Sequence, residues 1–128
     1  MIERMVGKKA PHFEMNALLA DKSFGQVSLK ESMESGKWTV LLFYPMDFTI
    51  VCPTEITAVS DRYDEFKELD TEVIGISTDS VYTHLAWVNT ERFRNGVGKL
   101  NFALASDKNH RVCKQYGVLI EEEGVALR

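Results

Sequence analysis

The residue best suited to chemistry in this sequence is Cys52, which directly precedes Pro53 at the predicted start of a helix. Unpaired N–H groups and the dipole at a helix start stabilise an anion, and a thiol becomes one by losing its proton. Helix starts and nearby cations lower a cysteine pKa from about 8.5 into a range of roughly 3.5 to 7.5. Because the thiolate is the nucleophilic form, this position predicts a reactive sulfur. From position alone, the alternative is a buried structural cysteine that packs as a small apolar side chain.

Two elements must position this cysteine. The run 38–44 is almost continuously β-branched and aromatic and ends at Pro45, which predicts a central strand covered on both faces. Beyond Cys52, apolar residues recur at spacings of three and four, as in one amphipathic helix: Ile56, Val59, Tyr63 and Phe66. Glu55 lies near the positive end of that helix, where an acidic side chain is favoured.

Strand and helix patterns alternate through the rest of the chain. The alternating residues 24–29 follow a turn-like segment at 21–23, so a short hairpin is one interpretation and an irregular surface loop is the other. Ser80 or Asp79 is expected to cap a helix that buries Val81, Leu85 and Val88. The remaining predicted elements are strands at 72–78 and 102–104, helices at 80–92 and 109–116, and a hairpin of 118–120 with 125–127. This order predicts an α/β fold with a partly parallel sheet, in a single domain over 1–128.

Composition narrows the class of protein. The 128 residues include 15 Lys and Arg against 19 Asp and Glu, a formal net charge of −4, so a basic surface for nucleic acid is not predicted. No apolar run approaches the roughly 20 residues of a membrane span. Met1 to Lys9 carries charges without an apolar stretch behind them, which does not match a secretory signal. With only two cysteines, free thiols and a cytoplasmic location are predicted.

The segment Pro45–Glu55 reads PMDFTIVCPTE and closely resembles the active-site signature of the peroxiredoxins. The most similar group contains alkyl hydroperoxide reductase C and the typical two-cysteine enzymes. The resemblance extends from the N-terminal segment to Tyr116-Gly117-Val118-Leu119 and so covers most of the chain. It implies a thioredoxin-like fold and a peroxidatic Cys52 that reduces hydrogen peroxide and organic hydroperoxides without a metal or other cofactor. Its product is a sulfenic acid, the first step of thiol oxidation.

The resemblance also assigns roles to residues around Cys52. Thr49 would bind the peroxide through its hydroxyl, although a threonine at a turn often bonds its own backbone instead. Pro45 would shield the pocket from water, a role compatible with simply ending the strand. Arg128 would lower the thiol pKa and stabilise the developing negative charge, provided that this terminal residue is held in place. Glu55 would either orient that arginine or only complement the helix dipole.

One feature of the family is missing. Two-cysteine members carry a resolving cysteine on C-terminal elements beyond the position of Arg128, so a fold incomplete at its C-terminus and uncertain turnover are expected. Cys113, on a predicted short helix, is expected to be structural rather than resolving. The implied partners are a thioredoxin-like or other thiol reductant and further copies of the chain, as a homodimer or a ring of dimers.

Two other functions remain open at this point. A truncated member with exposed apolar surface could be a non-catalytic holdase or assembly module. A disulfide oxidoreductase is disfavoured because Cys52 has no second cysteine three residues along the chain. The three histidines, His12, His84 and His110, show no metal-binding spacing.

Overall fold

The computed structural model describes residues 5–49 and 52–128, and the side chain of Cys52 lies outside that description. Seven strands and five helices follow one another in the described part of the chain. The strands are β1 (Glu14–Leu18), β2 (Phe24–Ser28), β3 (Trp38–Phe43), β4 (Thr71–Ser77), β5 (Ala103–Ser106), β6 (Leu119–Ile120) and β7 (Val125–Ala126). The helices are α1 (Leu29–Glu34), α2 (Cys52–Asp61), α3 (Tyr63–Glu68), α4 (Val81–Val88) and α5 (Arg111–Gln115).

A five-stranded mixed sheet in the order β2-β1-β5-β4-β3 forms the centre of the fold. Strands β3, β4 and β5 are parallel, while β1 is antiparallel to both β2 and β5. Parallel neighbours need crossover connections, which the helical segments between them supply. The α/β prediction is confirmed, and so is the hairpin interpretation, since the strand predicted at 24–29 is β2 and pairs with β1 across the turn at 19–23.

The position of β3 corrects one prediction. Its apolar run predicted a central strand covered on both faces, but β3 is the edge strand of this sheet. Trp38 is 77% exposed and Val40 is 41% exposed. The central strand is β5, whose Leu104 and Ala105 are buried. An apolar run indicates that side chains can be buried, but it does not fix how many strands flank the backbone.

The helices differ from their predicted bounds in three places. The single helix predicted after Cys52 is interrupted at Arg62, whose φ of −106° and ψ of 18° separate α2 from α3. The Ser80 hydroxyl accepts from the Thr83 amide at 3.2 Å and so caps α4 as predicted. That helix ends at Val88 rather than near 92, and it buries His84 and Trp87 together with Val88. Helix α5 is shorter than predicted because His110 has a left-handed φ of 65°.

A two-stranded hairpin of β6 and β7 holds the C-terminal residues in place. The Leu127 amide donates to the Val118 carbonyl at 2.7 Å. The Thr78 hydroxyl, at the end of β4, donates to the Gly124 carbonyl at 2.8 Å. Ala126 is fully buried. The role expected for Arg128 required that the residue be held in place. These contacts hold the segment that carries it against the end of β4.

Within residues 5–49 and 52–128, no helix has the length and apolar character needed to cross a membrane.

Candidate active site

The helix α2 begins at Cys52, so the cysteine occupies the helix start that the sequence predicted. Pro53 follows in the first turn and is buried. Its missing N–H removes no intrahelical bond at this position, and its fixed φ suits the turn. The predicted reactivity of the Cys52 sulfur concerns a side chain outside the described residues.

Arg128 and Glu55 meet at the first turn of α2. The Arg128 Nε atom donates to Glu55 Oε1 at 2.8 Å. The two side chains are 45% and 38% exposed, so solvent screens this pair and its contribution to stability is small. The contact nevertheless brings a permanently charged guanidinium to the helix turn that starts with Cys52. This contact is the one that the first alternative for Glu55, orientation of the arginine, requires.

Thr49 and Pro45 lie in the loop between β3 and α2, and both are half-buried. The Thr49 hydroxyl donates to the Met46 carbonyl at 3.1 Å. Thr49 therefore makes the backbone hydrogen bond that was the alternative to binding the peroxide. A hydroxyl that donates to the backbone keeps its lone pairs, so Thr49 can still accept a hydrogen bond from a ligand.

A buried polar network lies behind this loop and was missed in the sequence. The Asp47 carboxylate accepts from the Tyr44 hydroxyl at 2.6 Å, and its other oxygen lies 2.6 Å from His84 Nδ1. The second ring nitrogen of His84 lies 3.0 Å from the Ala105 carbonyl. Both ring nitrogens thus face oxygen atoms, so one proton lies between the ring and the Asp47 carboxylate. The network connects the loop before Cys52 to α4 and to the central strand.

Burial governs the ionisation of this network. Desolvation raises the pKa of Asp47, aided by the nearby charge of Asp79, while the hydrogen bonds from His84 and Tyr44 oppose that rise. Desolvation also raises the pKa of Tyr44 well above its usual value, and the negative charge of Asp47 adds to the effect. Tyr44 therefore stays protonated and serves as a donor.

Asp47, Asp79 and His84 form the one described group with the donor atoms of a possible metal site, and those atoms lie within 4.8 Å of one another. Their hydrogen bonds already engage them. Asp79 Oδ2 accepts from the Asp47 amide at 2.9 Å and from the Ser77 hydroxyl at 2.7 Å. The arrangement fits a hydrogen-bonded anchor for the loop. The sequence feature that could have indicated this network is His84, a histidine on the apolar face of the helix predicted at 80–92.

Cys113 has the opposite surroundings to a reactive thiol. It is fully buried in α5, and its amide donates to Asp107 Oδ2 at 2.7 Å. Burial raises the pKa of the Cys113 thiol far above its usual value, and the hydrogen bond to Asp107 and the charge of that carboxylate raise it further. The expected structural role of Cys113 agrees with this geometry.

Comparison with known proteins identifies the family. The model of the AhpC/TSA family matches residues 6–128. The chain belongs to this family, the peroxiredoxins. This peroxiredoxin is 70% identical over 128 residues to YkuU of Bacillus subtilis, whose name assigns it provisionally to the peroxiredoxins; the match covers 100% of the chain and 71% of YkuU.

Two further relatives extend the comparison. The chloroplastic 2-Cys peroxiredoxin BAS1 of spinach is 52% identical over 124 residues, a match that covers 97% of this chain and 46% of BAS1. The crystal structure of the reduced 2-Cys peroxiredoxin of Plasmodium vivax superposes with a TM-score of 0.93 at 43% identity, covering 98% of this chain and 76% of that one. The predicted family and the thioredoxin-like fold of the peroxiredoxins are both confirmed.

The family assignment also confirms the predicted class of activity. Peroxiredoxins are thiol-dependent peroxidases, and the chain is an enzyme of that class. The assignment favours the enzymatic prediction over a non-catalytic assembly module. The individual site residues stay predictions, which the geometry above supports to different degrees.

Proposed function

We propose that this peroxiredoxin reduces hydrogen peroxide and organic hydroperoxides with Cys52 as the nucleophile and Arg128 as its cationic partner. The single observation that carries the proposal is the 2.8 Å contact between Arg128 Nε and Glu55 Oε1. It holds a guanidinium at the first turn of the helix that Cys52 begins. A cation and a helix start together stabilise a thiolate at neutral pH.

The reaction is a two-electron transfer from sulfur to oxygen. The Cys52 thiolate attacks one peroxide oxygen, so that an S–O bond forms while the O–O bond breaks. The electron pair of the O–O bond goes to the leaving oxygen, which takes up a proton and departs as water or an alcohol. The sulfur is oxidised to a sulfenic acid. Negative charge grows on the leaving oxygen, where a guanidinium donor stabilises the transition state.

Thr49 and Pro45 complete the proposed site. Because the Thr49 hydroxyl donates its proton to the Met46 carbonyl, its oxygen is free to accept a hydrogen bond from the O–H group of a hydroperoxide. A peroxide held at Thr49 would lie in the loop that leads to the helix start carrying Cys52, which favours its reaction with the thiolate. Pro45 is half-buried and offers an apolar ring without an N–H, which limits the access of water to the pocket.

The sulfenic acid must then be reduced by a thiol. Cys113 is a poor candidate because it is fully buried and has a strongly raised pKa. A thioredoxin-like or other thiol reductant is therefore proposed, together with assembly as a homodimer or a ring of dimers. A cytoplasmic location and a single domain over residues 1–128 complete the proposal.

The proposal predicts that peroxide labels one cysteine and spares the other. One equivalent of hydrogen peroxide, added to the reduced protein with dimedone, should give a sulfenic acid adduct on Cys52, read by peptide mass spectrometry. Cys52→Ser should remove the adduct completely, and the matched control Cys113→Ser should keep it. Labelling confined to Cys113, or an adduct that survives Cys52→Ser, would contradict the proposal.

A further inference from the structure

A turn that follows α4 contacts the loop that leads to Cys52. The Asn95 side-chain amide donates from Nδ2 to the Phe48 carbonyl at 3.1 Å, although 47 positions separate the two residues. The Asn95 carbonyl in turn accepts from the indole Nε1 of the buried Trp87 at 3.2 Å. Asn95 thus bridges the core of the protein and the backbone directly before Thr49.

The turn that carries Asn95 is closely packed. Asn95 has a φ of 66°, in the left-handed region that asparagine tolerates. At the next residue, a Cβ added to Gly96 would overlap the Thr90 carbonyl oxygen, so a glycine is required there. The Gly96 amide donates to the Glu91 carbonyl at 3.0 Å. The Asn95 amide group is therefore presented to the loop from a well-fixed backbone.

Phe48 is the residue that needs such a restraint. Its φ of 62° is left-handed, an unfavourable conformation for a bulky aromatic residue. Strained backbone of this kind persists only where the surroundings hold it. Two contacts hold Phe48: its ring lies 6.3 Å from the Trp87 ring, and its carbonyl accepts from Asn95.

We propose that Asn95 is a positioning residue for the peroxide reaction, acting through the backbone of Phe48 on Thr49. The hydrogen bond keeps Phe48 left-handed and so fixes the direction in which the chain enters Thr49. Without it, the Phe48 backbone relaxes toward the extended region, and the Thr49 hydroxyl turns away from the line of attack. This inference rests on the proposed function, since it assumes that Thr49 binds the peroxide attacked by Cys52.

Two substitutions remove the donor by different means. Asn95→Gly keeps the left-handed conformation and deletes the side chain, whereas Asn95→Asp keeps the side-chain shape and deletes both N–H groups. Arg94→Ala is the matched control on the same turn, because the exposed Arg94 side chain makes an ion pair with Glu91 at 4.0 Å and lies 5.6 Å from the Phe93 ring, without contacting the loop before Cys52 in any described interaction. An effect shared by both Asn95 variants and absent from the control belongs to the lost hydrogen bond.

The rates to compare are those of Cys52 with hydrogen peroxide and with iodoacetamide. Both Asn95 variants should react with peroxide roughly two- to tenfold more slowly, the range expected for one neutral hydrogen bond. Alkylation should stay within about twofold, since it does not use Thr49, and deuterium uptake of residues 44–49 should increase. Equal slowing of both reagents would indicate general loosening and would overturn the inference, as would unchanged peroxide rates and uptake.

The parent protein separates this inference from the proposed function. If its Cys52 does not react with peroxide, the proposed function fails, and the positioning role fails with it. If the parent reacts with peroxide and both Asn95 variants react as fast as the parent, only the inference about Asn95 is wrong.

Discussion

The two cysteines of this peroxiredoxin both lie on helices, but their electrostatic surroundings are opposite. Cys52 is the first residue of α2, and Arg128 contacts Glu55 in the same first turn. Cys113 lies inside α5, is fully buried, and hydrogen-bonds to the Asp107 carboxylate. The first position favours a thiolate, and the second opposes one.

The difference indicates that the charges around a thiol in space cannot be read from the charges beside it in sequence. In sequence, Cys113 is flanked by the basic residues Arg111 and Lys114. Both of those side chains are exposed, whereas the carboxylate of Asp107 is buried against the thiol. Cys52 has an acidic residue, Glu55, close by in sequence, yet that carboxylate binds a cation from the far end of the chain.

Removing the cation is the strongest way to break this contrast. Arg128→Ala should raise the pKa of Cys52, because a nearby opposite charge stabilises the thiolate. The rate of peroxide reaction at pH 7 should fall by at least about tenfold, measured by stopped-flow oxidation of the reduced protein. An unchanged rate would remove Arg128 from the proposed site.

Glu55→Gln is the matched control for that substitution. It keeps Arg128 and removes the charge of its partner, while the Gln amide oxygen can still accept the hydrogen bond from Arg128 Nε. The pair is partly exposed, at 45% and 38%, so the loss should be within a few fold. A larger loss than that of Arg128→Ala would mean that Glu55 acts on the thiol directly.

The stability of the protein at alkaline pH tests the other half of the comparison, the raised pKa of Cys113. The pKa of Cys113 is higher in the folded protein than in the unfolded chain. Above about pH 8.5 the unfolded chain therefore loses the thiol proton while the folded protein keeps it, so the free energy of unfolding falls as the pH rises. Between pH 9 and 10, the free energy of unfolding should fall about 1.4 kcal/mol per pH unit more steeply in the parent than in Cys113→Ser. Urea unfolding at each pH gives the two slopes, and equal slopes would show that Cys113 ionises normally.

The sequence predicts the order of the elements well because most of them carry their own periodicity. Ser80 caps α4, and the acidic turn 121–124 connects β6 to β7. The pattern fails where neighbours in space decide. The apolar spacing of three and four residues continues from Val59 to Tyr63 across Arg62, so the pattern does not reveal that α2 ends at Asp61. Likewise, the composition of β3 does not reveal its place at the edge of the sheet.

The site divides in the same way. Its contiguous part, from Pro45 to Glu55, is readable as a motif in the sequence. The supporting contacts join residues that are far apart along the chain, as in Asp47 with His84 and Asn95 with Phe48. No local spacing predicts such pairs, because they form only when the sheet and α4 bring the residues together.

The most direct test of the difference between the two thiols is a pH titration of both in one experiment. The reduced protein is pulsed with iodoacetamide from pH 4 to pH 10, and mass spectrometry measures alkylation of Cys52 and Cys113 separately. The expected result is a Cys52 midpoint within the range of roughly 3.5 to 7.5 found for activated cysteines, while Cys113 stays unmodified in the folded protein throughout. A Cys52 midpoint near 8.5, the value of an ordinary thiol, would contradict the account.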